Sequence, residues 1–166
     1  MGDGSTADSA VMNLTAIGNT VSNSTNSGLR FLANASGTLN ARIQNNHVGT
    51  PNTGASGPSE PGIRIDSGTS AGTAVDTNVC LDLSGNTTSG STFSGTTFPG
   101  IGLRKQGTVA TTNDFGIVGL TPTPATAAQA EAYVAGQNPA STAGTFGTGG
   151  AGVISGSNFI SCTLPF

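Results

Sequence analysis

The sequence predicts an all-β chain wound into a solenoid of stacked parallel strands, with a C-terminal cap that contains one short α-helix. Two recurring patterns and one compositional fact predict it. Gly opens an alternating apolar run three times, at Gly28-Leu29-Arg30-Phe31, Gly62-Ile63-Arg64-Ile65 and Gly100-Ile101-Gly102-Leu103. Asn closes another run three times, at Leu14-Thr15-Ala16-Ile17-Gly18-Asn19, Ala41-Arg42-Ile43-Gln44-Asn45-Asn46 and Leu81-Asp82-Leu83-Ser84-Gly85-Asn86. A unit of strand, corner, strand, corner buries its apolar face only by stacking on its neighbours. The composition agrees: 8% of residues are charged, against about 25% in an ordinary soluble domain. Val, Ile and Thr are plentiful, which favours a thin β core over disorder.

Each element follows from the register. With Asn19, Asn46 and Asn86 aligned, Leu14, Ala41 and Leu81 fall level, as do Ala16, Ile43 and Leu83, and then Val21, Val48 and Thr88. These positions differ by twos, the period of a strand with one buried face. In the Gly-led strands Leu29, Ile63 and Ile101 point inward, as do Phe31, Ile65 and Leu103, while Arg30, Arg64 and Gly102 point out. The repeats differ in length, so loops of variable size leave the corners. Residues 49–61, 67–78 and 87–99 are Gly/Ser/Thr tracts, and Pro and Gly in the first forbid regular pairing. The corner residues Asn19, Asn46 and Asn86 tolerate left-handed backbone angles, and their stacked amides form a ladder from one repeat to the next.

The few charges fit the same register. Arg42 falls level with Asp82, and Asp66 with Arg104, both as ion pairs between adjacent repeats. Arg30 over Arg64 is a like-charge exception that needs an intervening loop or partner.

The repeats run over residues 1–120, and residues 121–166 form the cap of the same domain. Thr121-Pro122-Thr123-Pro124 ends the repeat. Thr126 and Gln129 have capping-box spacing for a helix over about 126–136, with Gly136 as its stop. A final apolar run, Phe159-Ile160-Ser161-Cys162-Thr163-Leu164-Pro165-Phe166, supplies terminal strands that cover the last repeat. No comparable cover precedes the first repeat, so that end is expected to take part in self-association or packing, as in a C-terminal fragment of a larger surface or filament protein.

With Gly-Leu-Arg-Phe, Gly-Ile-Arg-Ile, Ile-Gly-Asn-Thr-Val (17–21) and Leu-Ser-Gly-Asn-Thr (83–87) in place, residues 11 to about 120 resemble the right-handed parallel β-helix family. This is the pectin-lyase-like solenoid, in the form of bacterial surface and autotransporter-passenger proteins. The resemblance implies that architecture, and it covers adhesins, phage tail proteins, polysaccharide lyases and hydrolases alike.

The residues carry little chemistry. Glycoside hydrolysis generally needs two carboxyls at a set separation. Asp3, Asp8, Glu60, Asp66, Asp76, Asp82, Asp114 and Glu131 are scattered, and Asp66 and Asp82 stand on different walls, each beside an Arg. His47 is the sole histidine and has no second ligand nearby, so no metal, cofactor or catalytic residue is expected. Cys80 and Cys162 either remain free thiols or, in an oxidising compartment, bond to tie the cap to a repeat. Asn-X-Ser/Thr matches at Asn13, Asn23, Asn34 and Asn86 arise easily by chance in so Asn- and Thr-rich a chain. Five basic residues and a net charge of −3 give no nucleic-acid footprint. No apolar run is long enough for a membrane-spanning helix.

The expected function is therefore a non-catalytic, extracellular or cell-surface structural or adhesive module whose loops meet a surface glycan or protein ligand. The alternative is a carbohydrate-binding or polysaccharide-active β-helix. An ice-binding wall ranks last, because Thr is not in register.

Overall fold

In the computed structural model the chain is mainly β, with parallel sheets and one helix. The structure describes residues 10–33, 36–49, 60–68, 77–88, 91–93, 96–105, 114–139, 141, 143–145 and 159–166. Most of loops 49–61 and 67–78, and Asp3, Asp8, Asp76 and Asn34, lie outside those residues.

A first pass of the chain lays down β1 (Ala10–Ile17), β2 (Thr20–Val21) and β3 (Leu29–Ala33). A second gives β4 (Gly37–Gln44), β5 (His47–Val48) and β6 (Ile63–Ser67). A third gives β7 (Thr77–Ser84), β8 (Thr87–Thr88), a hairpin of β9 (Ser91–Phe93) and β10 (Thr96–Phe98), then β11 (Ile101–Lys105). The rest supplies β12 (Asp114–Val118), helix α1 (Ala127–Gln137), β13 (Ala143–Thr145) and β14 (Phe159–Cys162).

Each pass visits three sheets in the same order. The first sheet is β1-β4-β7-β12-β14, the second β2-β5-β8, the third β3-β6-β11-β13. Every pairing within them is parallel, an arrangement compatible with a β-helix-like solenoid. Leu14 pairs with Ala41 and Ala41 with Leu81, while Leu29 pairs with Ile63 and Ile63 with Ile101, so the repeats keep the register read from their apolar positions.

Inward side chains of the second and third passes are shut off from solvent: Ala41, Ile43, Ile63, Ile65, Leu81, Ile101 and Leu103 are all 0% exposed. Burying a Leu or Ile contributes about 1.5–3 kcal/mol, so this column is the main store of stability. In the first pass, Leu14, Val21, Leu29 and Phe31 are only partly buried.

The corners differ from expectation in one respect. The left-handed residue is the one before each corner Asn: Gly18 (φ 66°), Asn45 (φ 53°) and Gly85 (φ 66°). Asn19, Asn46 and Asn86 have ordinary backbones, so their role rests on the amide alone. Loop 87–99 also differs from a structureless tract, because β9 and β10 pair antiparallel within it; Ser91-Thr92-Phe93 and Thr96-Thr97-Phe98 are β-prone triplets separated by two residues.

Helix α1 begins with a capping box in which Thr126 and Gln129 satisfy each other's backbone N–H groups. It runs through Gly136 to Gln137 and ends on Asn138 rather than stopping at the glycine, because the Asn138 side chain donates to the Val134 carbonyl and its backbone N–H to the Ala135 carbonyl. Ala130 and Val134 are buried against the core, and the Tyr133 hydroxyl donates to the Val118 carbonyl at 2.9 Å. Phe115 and Phe159 stack edge to face at 5.2 Å as β14 joins β12. Among the described residues no helix is long and apolar enough to cross a membrane.

The corner geometry predicts unequal costs for two similar substitutions. Gly18→Ala meets open space and Gly85→Ala meets the Asn45 side chain. The first is expected to lose about 1 kcal/mol, the cost of left-handed backbone alone, and the second at least about 2 kcal/mol, both by chemical denaturation.

Candidate functional site

Three constellations bring the singled-out residues together. The first is the corner column. Asn19 donates from its backbone N–H (3.0 Å) and its Nδ2 (2.8 Å) to Asn46 Oδ1. Asn46 donates in the same two ways to Asn86 Oδ1, at 3.1 and 2.9 Å. Each Nδ2 has a second acceptor in the preceding pass, the Ala16 carbonyl for Asn46 and the Ile43 carbonyl for Asn86. A primary amide offers two donors and two lone pairs, and all four are used at both residues, each 1% exposed. A fully satisfied buried amide stabilises, whereas a partly satisfied one is costly.

The ladder has a fourth member that the repeats do not announce. Asn86 donates from N and Nδ2 to Asn138 Oδ1, both at 2.9 Å. Asn138 Nδ2 then donates to the Leu83 carbonyl (3.0 Å) and to the Val134 carbonyl of α1 (2.8 Å). The Asn138-Pro139 dipeptide just past the helix was the available signal, but it lacks the apolar strand before it that marks the other three. A shorter amide stack on the first sheet joins Asn40 to Asn13 at 2.9 Å.

The second constellation is the third sheet's outward wall. Arg30 sits over Arg64 in the pairing register, and Leu32, Asp66 and Arg104 fall in line. Asp66, 0% exposed, is the intervening charge: Arg64 Nε donates to its Oδ2 at 2.8 Å, Arg30 Nη2 lies 3.3 Å away, and Arg104 Nη1 is 3.6 Å from Oδ1. Arg64 also pairs with Glu60, which accepts from the Ser27 hydroxyl at 2.9 Å. Of the expected outward set, Arg64 and Gly102 are not solvated, since β6 and β11 are buried on both faces, while Arg30 of β3 stays exposed. Burial lowers the Arg104 pKa, with Asp66 working against the shift.

Beside this wall, Lys105 is 2% exposed, and its Nζ has no hydrogen-bond partner. Its register partner Ser67 has an equally unpartnered buried hydroxyl. Desolvation pushes the Lys105 pKa below its ordinary 10.5, and Asp114 opposes the shift. Neither residue stood out in the sequence, since strand alternation alone puts them inside.

The third constellation ties the end of the chain to the first sheet. Cys80 and Cys162 form a disulfide with a Cα–Cα distance of 5.9 Å, lying against Gly116, where any Cβ would press on Cys162. Arg42 is 3.8 Å from Asp82, which also accepts from Gln44 Nε2 at 2.8 Å. Arg42 Nη2 donates to the Phe166 carbonyl at 2.7 Å, and its guanidinium lies 5.4 Å from the ring centroid of Phe166. Asp66 and Asp82 stand on different sheets. His47 is exposed at the corner. Among the described residues no three His, Cys, Asp or Glu side chains gather as metal ligands.

No protein-family model, curated protein or solved structure matches the chain.

Asp66→Asn leaves buried guanidinium groups without their counter-charge and is expected to cost about 3–5 kcal/mol on denaturation. Arg30→Ala removes a half-exposed partner (47%) and should cost less than about 1 kcal/mol. Lys105 carries a pH prediction. Its folded pKa lies below 10.5, so between those two values the unfolded chain binds more protons and stability rises with pH. Denaturation midpoints should climb as the pH rises toward 10.5, and Lys105→Met should abolish that part of the climb.

Proposed function

We propose that the chain is a right-handed parallel β-helix whose passes are its coils, with residues 121–166 as its cap, and that it serves as a non-catalytic extracellular structural or adhesive module. One observation carries this reading: Asp66 and Asp82, the best candidate pair of wall carboxylates, are engaged by the fold. Asp66 answers to three guanidinium groups and Asp82 to Arg42, Gln44 and Ser84. A polysaccharide-cleaving wall would instead aim two carboxyls at one bound sugar, at the separation that retention or inversion demands.

The Cys80–Cys162 bond supports an oxidising setting outside the cell, where such bonds persist. Close packing, a hydrogen-bonded corner column and a covalent tie support a rigid frame, on which the segments linking the strands are the contact surfaces for a glycan or protein ligand.

The test is to incubate the chain with neutral and acidic polysaccharides, assay new reducing ends, and probe an array of glycans and matrix proteins in parallel. No reducing ends should appear, and any retained ligand should be lost when residues 89–98, which contain the β9–β10 hairpin, are replaced by a short Gly-Ser turn that leaves β8 intact. Turnover abolished by Asp82→Asn in a variant that still folds would overturn the proposal and favour the polysaccharide-active alternative.

A further inference from the structure

The amide column is closed at one end and open at the other. At the α1 end, Asn138 spends both Nδ2 protons on carbonyls, one of them the helix's own Val134. At the β1 end, Asn19 uses its Nδ2 once, toward Asn46. Among the described residues nothing donates to Asn19 Oδ1, and no carbonyl takes its second Nδ2 proton. The sheets repeat this asymmetry, because β1, β2 and β3 each stand at the edge of their sheet.

The apolar column is open at the same end. Met12 shares inward parity with Leu14 and Ala16, yet is 39% exposed, while its register partner Leu39 is 2% exposed. Met12, Leu14, Arg30, Phe31, Leu32 and Leu39 line a cavity of about 340 Å³ between the first and third sheets.

We propose that this edge is a docking surface for one parallel β-pass of a partner polypeptide whose corner residue is Asn. The column itself specifies the chemistry. The repeated rule is that a corner Asn gives its backbone N–H and one Nδ2 proton to the next Oδ1, and receives through its other proton a carbonyl three residues before the neighbouring Asn. A partner pass with Asn at its corner fills both vacancies on Asn19, pairs all three edge strands and covers Met12 in one step. This is strand addition at a sheet edge, extended to three edges at once.

A second copy fits poorly in either orientation. A two-fold that pairs β1 with β1 of its mate runs them antiparallel and sets Asn19 opposite the start of the mate's β1, so the column ends there. Head-to-tail stacking presents Asn138, whose amide protons are already engaged. The docking surface is independent of the non-catalytic reading, so polysaccharide turnover would not touch it.

The experiment inserts a copy of residues 10–36 directly before Ala10 of the full chain. A matched variant carries Ala in place of Asn19 within the copy. The copied pass should raise the melting temperature, and the side-chain N–H groups of the native Asn19 should exchange at least tenfold more slowly by NMR. Both gains should fall sharply in the Ala-bearing copy. A copied pass that stays unordered, or that orders equally well with Ala, overturns the proposal. So does a native chain found to be a dimer with β1 and Asn19 already protected from exchange.

Discussion

The structure depends on a single constraint at its corners: a buried amide must have every donor and acceptor filled. Asn46 and Asn86 meet it only when the pass before and the pass after lie in one register, because each amide reaches an Oδ1 on one side and a carbonyl on the other. A shift of one residue between passes would break the three hydrogen bonds that join neighbouring corner amides and turn every apolar side chain to the wrong face. The residue ahead of each Asn makes this reach possible. Left-handed backbone at Gly18, Asn45 and Gly85 turns the chain sharply enough that the amide points along the stack rather than away from it.

Once the corners hold the passes in step, the remaining interactions follow from alignment. Leu, Ile and Ala columns close because equivalent positions stack directly. Charges on neighbouring strands meet for the same reason, and this is how one carboxylate, Asp66, serves Arg30, Arg64 and Arg104 on three strands. The cluster is an obligation as much as a source of stability, since burying those groups is tolerable only while all of them remain paired. The disulfide then joins β7 to β14 across a loop of 82 residues, for which the chain-entropy estimate is about 4.5 kcal/mol.

The sheet register was legible in the sequence because two independent markers, Gly-led strands and Asn-closed strands, recur with the same inward positions. The column of Asn19, Asn46 and Asn86 was legible for the same reason. Asn138 was not, because a helix replaces the strand that should precede it and the interval from Asn86 is 52 residues. Helix α1 announced its start through Thr126 and Gln129, but its end depended on a tertiary contact that helix propensity does not encode. The buried wall was also hidden: alternation tells which side chains leave the core, not whether another layer covers them. Lys105 shows the limit most plainly, since its position in β11 places an ammonium inside the stack without naming any partner for it.

Side-chain amide exchange tests the corner account most directly. If the column is the constraint on which the stack depends, the Nδ2 protons of Asn46 and Asn86 exchange with solvent only through global unfolding. Their NMR protection should then match the stability found by denaturation and fall in step with it as denaturant is added. Exchange of those protons at rates near those of a free amide, while the β4 and β7 backbone stays protected, would contradict the account.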